Sequence, residues 1–176
     1  IGQFPIISYT GPSPANLANF SLGLLPPGVS ASLVNNTANK TIDLDVTSTG
    51  QNLTWYGSPS DLWDINTSPN WNFGAAVYLE YGTPPNTVGD PVRFDDSLFN
   101  DFINPPATNI NLATVLRPFT VVVDSSQYPY SFTGAGRLSG QGNLVKSNLA
   151  SLTIGTSNDY TGGTFAYGGM LVISNN

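Results

Sequence analysis

The stretch "TIDLDVT" at 41–47 alternates apolar and polar residues without a slip, with Ile42, Leu44 and Val46 on one face and Asp43 and Asp45 on the other. That period of two marks a half-buried strand. "VSASLVN" at 29–35 alternates as well, grouping Val29, Ala31 and Leu33, and the intervening "NNTANK" is rich in turn residues. The pattern predicts a β-hairpin over 29–47. Short runs of the same kind follow: "AAVYLEY", "PVRFDD", "FTVVVDSS", "YSFTGAG", "NLVKS", "ASLTIG" and "GMLVIS". Apolar residues on both faces of "FTVVVD" predict a strand covered on both sides. Helical periodicity is nearly absent, and 14 prolines interrupt what there is. The best helical stretch is a turn or so over Ser97–Phe102.

The first run, "QFPIISYT", places Phe4 and Ile6 on one face and Ile7 and Tyr9 on the other. A strand with two apolar faces is poorly suited to an open sheet edge. It is therefore expected in the centre of its own sheet or, as the alternative, inserted into a neighbouring copy as a donated strand. A polar stretch, "TSTGQ", separates a hairpin-rich head, residues 1–50, from a longer β-unit, residues 51–176. In the last third of the chain a strand recurs about every ten residues with glycine at the corners. Such spacing fits a short-stranded β-sandwich or a β-solenoid, and glycine corners beside stacked Leu, Val and Ile favour the solenoid. The fold class expected is all-β.

Composition narrows the chemistry. Only 9% of the 176 residues are charged, against about 25% in an average soluble domain, so Asn, Ser, Thr and Gly take over the surface. The net charge of −6 argues against nucleic acid as a partner, because the phosphate backbone needs basic patches. Lys40, Arg93, Arg117, Arg137 and Lys146 are scattered and form no stripe. No apolar run approaches the roughly 18 residues of a membrane span. With no histidine or cysteine the chain has no Ser-His-Asp or Cys-His set, no thiolate metal site and no disulfide. Beginning at Ile1 without an initiator Met, it is expected to be a processed chain or a piece of a longer one.

"LTWYG", "LWDINTSPNW", "GDPVRFDDS", "PFTVVVDSSQYPYSFTGAGRLSGQGNLVKSNLASLTIG" and "NDYTGGTFAYGGMLVIS" together resemble the autotransporter-associated β-strand repeat of bacterial secreted and surface proteins. The resemblance covers roughly Leu53 to Ser174, and the head looks like a segment that accompanies such repeats. It implies a right-handed parallel β-helix in the C-terminal part and display outside the cell. It implies no catalytic residues, since the positions that carry it are glycines, aromatics and strand formers. Such repeats occur in long arrays, whereas about one is present here.

Candidate side chains follow. Asp61, Asp64, Asp90, Asp95 and Asp96 invite a paired-carboxylate reading, and Asp61 and Asp64 with nearby carbonyls a calcium reading. However, Asp95 and Asp96 are neighbours on one strand, and Asp90 sits in a Gly-Asp-Pro turn, so turn chemistry explains them better. No cofactor and no metal is expected. Trp55, Trp63 and Trp71, near Asn and Asp, are candidates for carbohydrate contact, with a tryptophan-anchored core as the commoner alternative. Asn19, Asn35, Asn39, Asn52 and Asn66 each begin a glycosylation sequon.

Two functions fit. The first is a non-catalytic extracellular structural protein, a surface passenger module or fibre subunit, with copies of itself or neighbouring repeats as partners. Its interface would use Phe4, Ile6, Ile7 and Tyr9 from the first strand and Leu171 and Ile173 from the last, joined by strand complementation. The alternative is a carbohydrate-binding module of a secreted polysaccharide-degrading enzyme. An enzyme in its own right has little support.

Overall fold

Backbone hydrogen bonding in a chain this rich in β-branched and turn residues goes into strand ladders. A computed structural model describes residues 1–14, 16–23, 25–48, 50–97 and 107–174, and no helix occurs among them. The helical turn expected over 97–102 lies, after Ser97, outside the described residues. Contacts divide the chain into two units, Ile1–Gly50 and Gln51–Asn176.

In the first unit β1 (Gly2–Ser8), β2 (Ser30–Asn36) and β3 (Thr41–Ser48) form an antiparallel sheet in the order β1-β3-β2. The hairpin read from 29–47 is present, with Leu33 opposite Leu44. Two expectations are corrected here. Strand β1 does not lie at the centre of its sheet but at an edge, and Phe4 and Ile6 remain 52% and 51% exposed. Its sequence holds the reason. Pro5 lacks a donor, and a register shift between Pro5 and Ile7 interrupts the ladder and the alternation of faces; both are edge features. Asp43 does not face solvent either. It is buried and accepts a 2.9 Å hydrogen bond from Asn36 Nδ2.

The second unit begins with β4 (Leu53–Thr54) and β5 (Leu62–Trp63). After an excursion, β6 (Glu80–Tyr81) and β7 (Val88–Gly89) make a small antiparallel pair. Then come β8 (Val92–Asp95), β9 (Asn109–Leu112), β10 (Val115–Leu116), β11 (Thr120–Asp124), β12 (Tyr130–Thr133) and β13 (Arg137–Leu138). The chain closes with β14 (Asn143–Ser147), β15 (Leu152–Ile154), β16 (Thr164–Ala166) and β17 (Leu171–Ile173).

Two five-stranded parallel sheets result, ordered β4-β8-β11-β14-β16 and β5-β9-β12-β15-β17. The chain visits them alternately, one strand in each, and a third short parallel pair, β10 with β13, recurs along the same path. In-register pairing lines up like residues: Val92, Val121 and Leu144 in one sheet, and Ile110, Phe132, Ile154 and Ile173 in the other. The inward rows of both sheets form a single core. Strand β11 corrects the two-sided expectation, for Val121 and Val123 are buried while Val122 faces outward and is only half-buried.

The aromatic residues of the core concentrate at the β4/β5 end. Phe94 lies 5.6 Å from Trp55, 5.5 Å from Trp63, 5.6 Å from Trp71, 5.5 Å from Tyr130 and 5.2 Å from Phe132, ring centre to ring centre. Gly57 has φ of 55°, and a Cβ there would come within 2.4 Å of the Trp55 ring, so only glycine lets the backbone cross it. Trp71→Ala is expected to cost about 3–5 kcal/mol, the range for emptying a buried aromatic site. Exposed Phe73→Ala should cost less than about 1 kcal/mol. Urea unfolding midpoints of the two variants check this.

Candidate functional site

Each parallel sheet has two ends, and each end strand has one backbone edge without a strand neighbour. At the β4/β5 end that edge is covered by the excursion that follows β5. Asn72 N donates to Thr54 O at 2.9 Å and its Oδ1 accepts from Thr54 N at 2.8 Å, while Trp71 bridges Trp55 and Ala76. Asn70, fully buried, accepts on its carbonyl from Tyr56 N and Gly57 N and donates Nδ2 to Leu62 O at 2.7 Å. Asp64 holds the first turn of the excursion by accepting from Ser68 N and Oγ. Asp90 holds its return: it is fully buried and accepts from Gln51 Nε2, Leu79 N and Tyr81 Oη, each at 2.9 Å. This end is closed.

At the other end β16 and β17 are the last strands of their sheets. Residues 164–166 are all exposed, and Met170 and Ile173 are 59% and 60% exposed. A hollow of about 260 Å³ opens beside them, lined by Ile154, Thr156, Asn158, Tyr160, Thr164 and Ile173. Residues 160–174 carry no formal charge, so nothing here resembles the charged side chains that usually guard an edge. This open end is the candidate functional site.

Lys146 supports it from below. Its side chain is fully buried in the row above Phe94 and Val123. Nζ donates to Ser147 O, to Asn148 O at 2.9 Å and to Gly168 O at 3.3 Å, tying β14 to the corner between β16 and β17. Burial lowers its pKa, against the opposing pull of Asp124. The sequence signal was parity: Lys146 shares the inward period of "NLVKS" with Leu144.

The other sequence candidates scatter. Trp55, Trp63 and Trp71 are 0%, 0% and 1% exposed, which corrects the carbohydrate-contact expectation, because a ring enclosed by other rings offers no face to a sugar. Asp95 accepts from Arg93 Nε and Ser97, whereas Asp96 accepts from Ser125 Oγ and Ser126 N. Burial opposes ionisation of both, yet these hydrogen bonds outweigh it and hold each carboxyl below its ordinary value. Asp61 is exposed, and no cluster of metal-ligating side chains occurs among the described residues. Of the sequon asparagines, Asn19, Asn39, Asn52 and Asn66 are exposed, and Asn35 is committed to Ser13 Oγ, Pro14 O and Tyr9 Oη. Phe4, Ile6 and Ile7 lie on an exposed edge strand, but Tyr9 stands outside it.

Comparison with protein-family models, with curated proteins and with solved structures finds no match to this chain.

Lys146→Met is expected to leave its carbonyl partners unpaired, costing about 1–3 kcal/mol. Amide hydrogen exchange should then quicken selectively over residues 164–173. The tyrosines give a pH signature. Burial, with Glu80 nearby, raises Tyr78; burial and Asp90 push Tyr81 up to about 12; burial, with Asp95 and Asp96 nearby, raises Tyr130. A raised folded pKa gives stability that is full below about pH 10, the unfolded tyrosine value, and lost as pH rises through the folded values. Lys146, lowered, works the other way below its ordinary value, one group against three. Melting temperature should therefore fall between pH 10 and 12, and Tyr81→Phe should flatten that fall.

Proposed function

We propose that this chain is a non-catalytic structural module displayed outside the cell, and that its second unit is a parallel β-solenoid whose open end receives further β-structure. One observation carries this reading: the two ends of the paired sheets are unlike. The β4/β5 edge has its hydrogen bonds met by Asn70 and Asn72, while β16 and β17 present an uncharged edge and a hollow. An unpaired edge of that kind is a template for another strand. The alternating visits to two in-register parallel sheets support the solenoid reading, because each circuit of the chain buries its inward row chiefly against the next. The resemblance to autotransporter-associated repeats agrees with it and adds right-handed coiling and surface display. Low charge and the lack of histidine and cysteine agree with a structural role.

The incoming β-structure belongs to a second copy or to a neighbouring repeat. Strand β1 is the donor that strand complementation calls for; Pro5 and the bulge make it a poor edge to pair side-on, so complementation would have to take it out of its ladder with β3. Donation of β1 from one copy to the open end of the next is a heterologous contact, which builds either a ring or an open filament.

Sedimentation velocity and negative-stain microscopy of the whole chain test this. Concentration-dependent assembly is expected, and Ala166→Lys with Ile173→Lys should abolish it while leaving the melting transition in place. A wild-type chain that stays monomeric up to its solubility limit would overturn the self-assembling form of the reading.

A further inference from the structure

The outward face of the β4-to-β16 sheet holds a strip that the assembly reading does not use. Phe165 pairs with Val145, and Val145 with Val122, so the three stand in one outward row across β16, β14 and β11. Tyr167, two residues on, shares the side of Phe165. The two rings lie parallel within 8° and 6.4 Å apart, and they are 42% and 75% exposed. Thr120 and Asn143 form a neutral polar margin on one side of the strip, joined by a 2.5 Å hydrogen bond. Ser147 and Asn148 form the other margin, both donating to Asp124.

We propose that this strip is a binding site for a neutral polysaccharide. Three features select that ligand. Parallel exposed rings offer flat apolar faces of the kind on which the C–H faces of pyranose rings stack, and aromatic side chains with a polar tip suit a surface that is wet on one side. The Thr120–Asn143 margin offers a neutral hydroxyl and amide to sugar hydroxyls, and on the other margin the Asp124 carboxylate, already bonded to Ser147, Asn148 and Arg93, can accept from them. The row spans about 10 Å from β11 to β16 at ordinary strand spacing, enough for more than one sugar ring. Charge excludes the acidic relatives: the chain carries −6, and Arg93, the cation at the far end of the row, is already paired with Asp95 and Asp124. Because the rings project from the outward face, a strand added beside β16 would leave them accessible. The site therefore stands whether or not the chain assembles.

Affinity electrophoresis of the whole chain tests this, in native gels containing hydroxyethylcellulose, galactomannan or soluble starch, with alginate as the acidic control. Retardation is expected in at least one neutral gel and none in alginate. Phe165→Ala with Tyr167→Ala should restore the mobility seen in plain gel, whereas Tyr167→Trp should keep the retardation. Circular dichroism melting of the variants establishes that they fold. No retardation in any neutral gel overturns the proposal, as does equal retardation of the double-alanine variant. Self-association that the double-alanine change abolishes, without any retardation, also overturns it and assigns the strip to contact between copies.

Discussion

Phe94 is the residue around which the second unit is organised. Three tryptophans, Tyr130 and Phe132 surround its ring at centre-to-centre distances of 5.2 to 5.6 Å. All five contacts are tilted or edge-on, and edge-on packing is among the arrangements that aromatic quadrupoles favour. The cluster joins strands from both parallel sheets and also holds Trp71, which comes from the excursion rather than from a sheet. Core formation and closure of one end are thus the same packing event.

That coupling makes the two ends of the unit unlike. Where large rings fill the interior, the chain can fold back and satisfy the outer edges of β4 with Asn72 and of β5 with Asn70. Towards β16 the inward row shrinks to Thr164 and Ala166, and the core tapers into a hollow. Lys146 belongs to this taper. A charged nitrogen replaces apolar volume at the inward position and spends its donors on corner carbonyls, which anchors the last strands without closing over them. Among the described residues these last strands have no further strand neighbour.

Low charge works differently on the two surfaces. At the strand edges it removes the usual guard against pairing; on the outward face it leaves hydroxyls, amides and two parallel rings. One composition thereby shapes both the edges and the faces of the sheets. The few charges present are mostly spent internally, as in Arg93 with Asp95 and Asp124, or Arg117 with Glu80.

The sequence by itself determined what depends on local period and turn chemistry. The alternation of "TIDLDVT", the "NNTANK" loop and the glycine-cornered runs after Thr120 specify strands and their connections, because those signals act over a few residues. Parity within "NLVKS" puts Lys146 on the side of Leu144, whereas the two apolar faces of "QFPIISYT" point to the centre of a sheet and outweigh the edge signal of Pro5. Only the tertiary structure decided which side of a tryptophan is covered, since aromatic residues near Asn and Asp look alike on a surface and in a core. It also decided that Asp90 is a buried fastener and that one sheet end is closed while the other is open. Those outcomes depend on contacts between residues far apart in the chain, such as Asn72 with Thr54 and Asp90 with Gln51, and no local pattern encodes the distance between them.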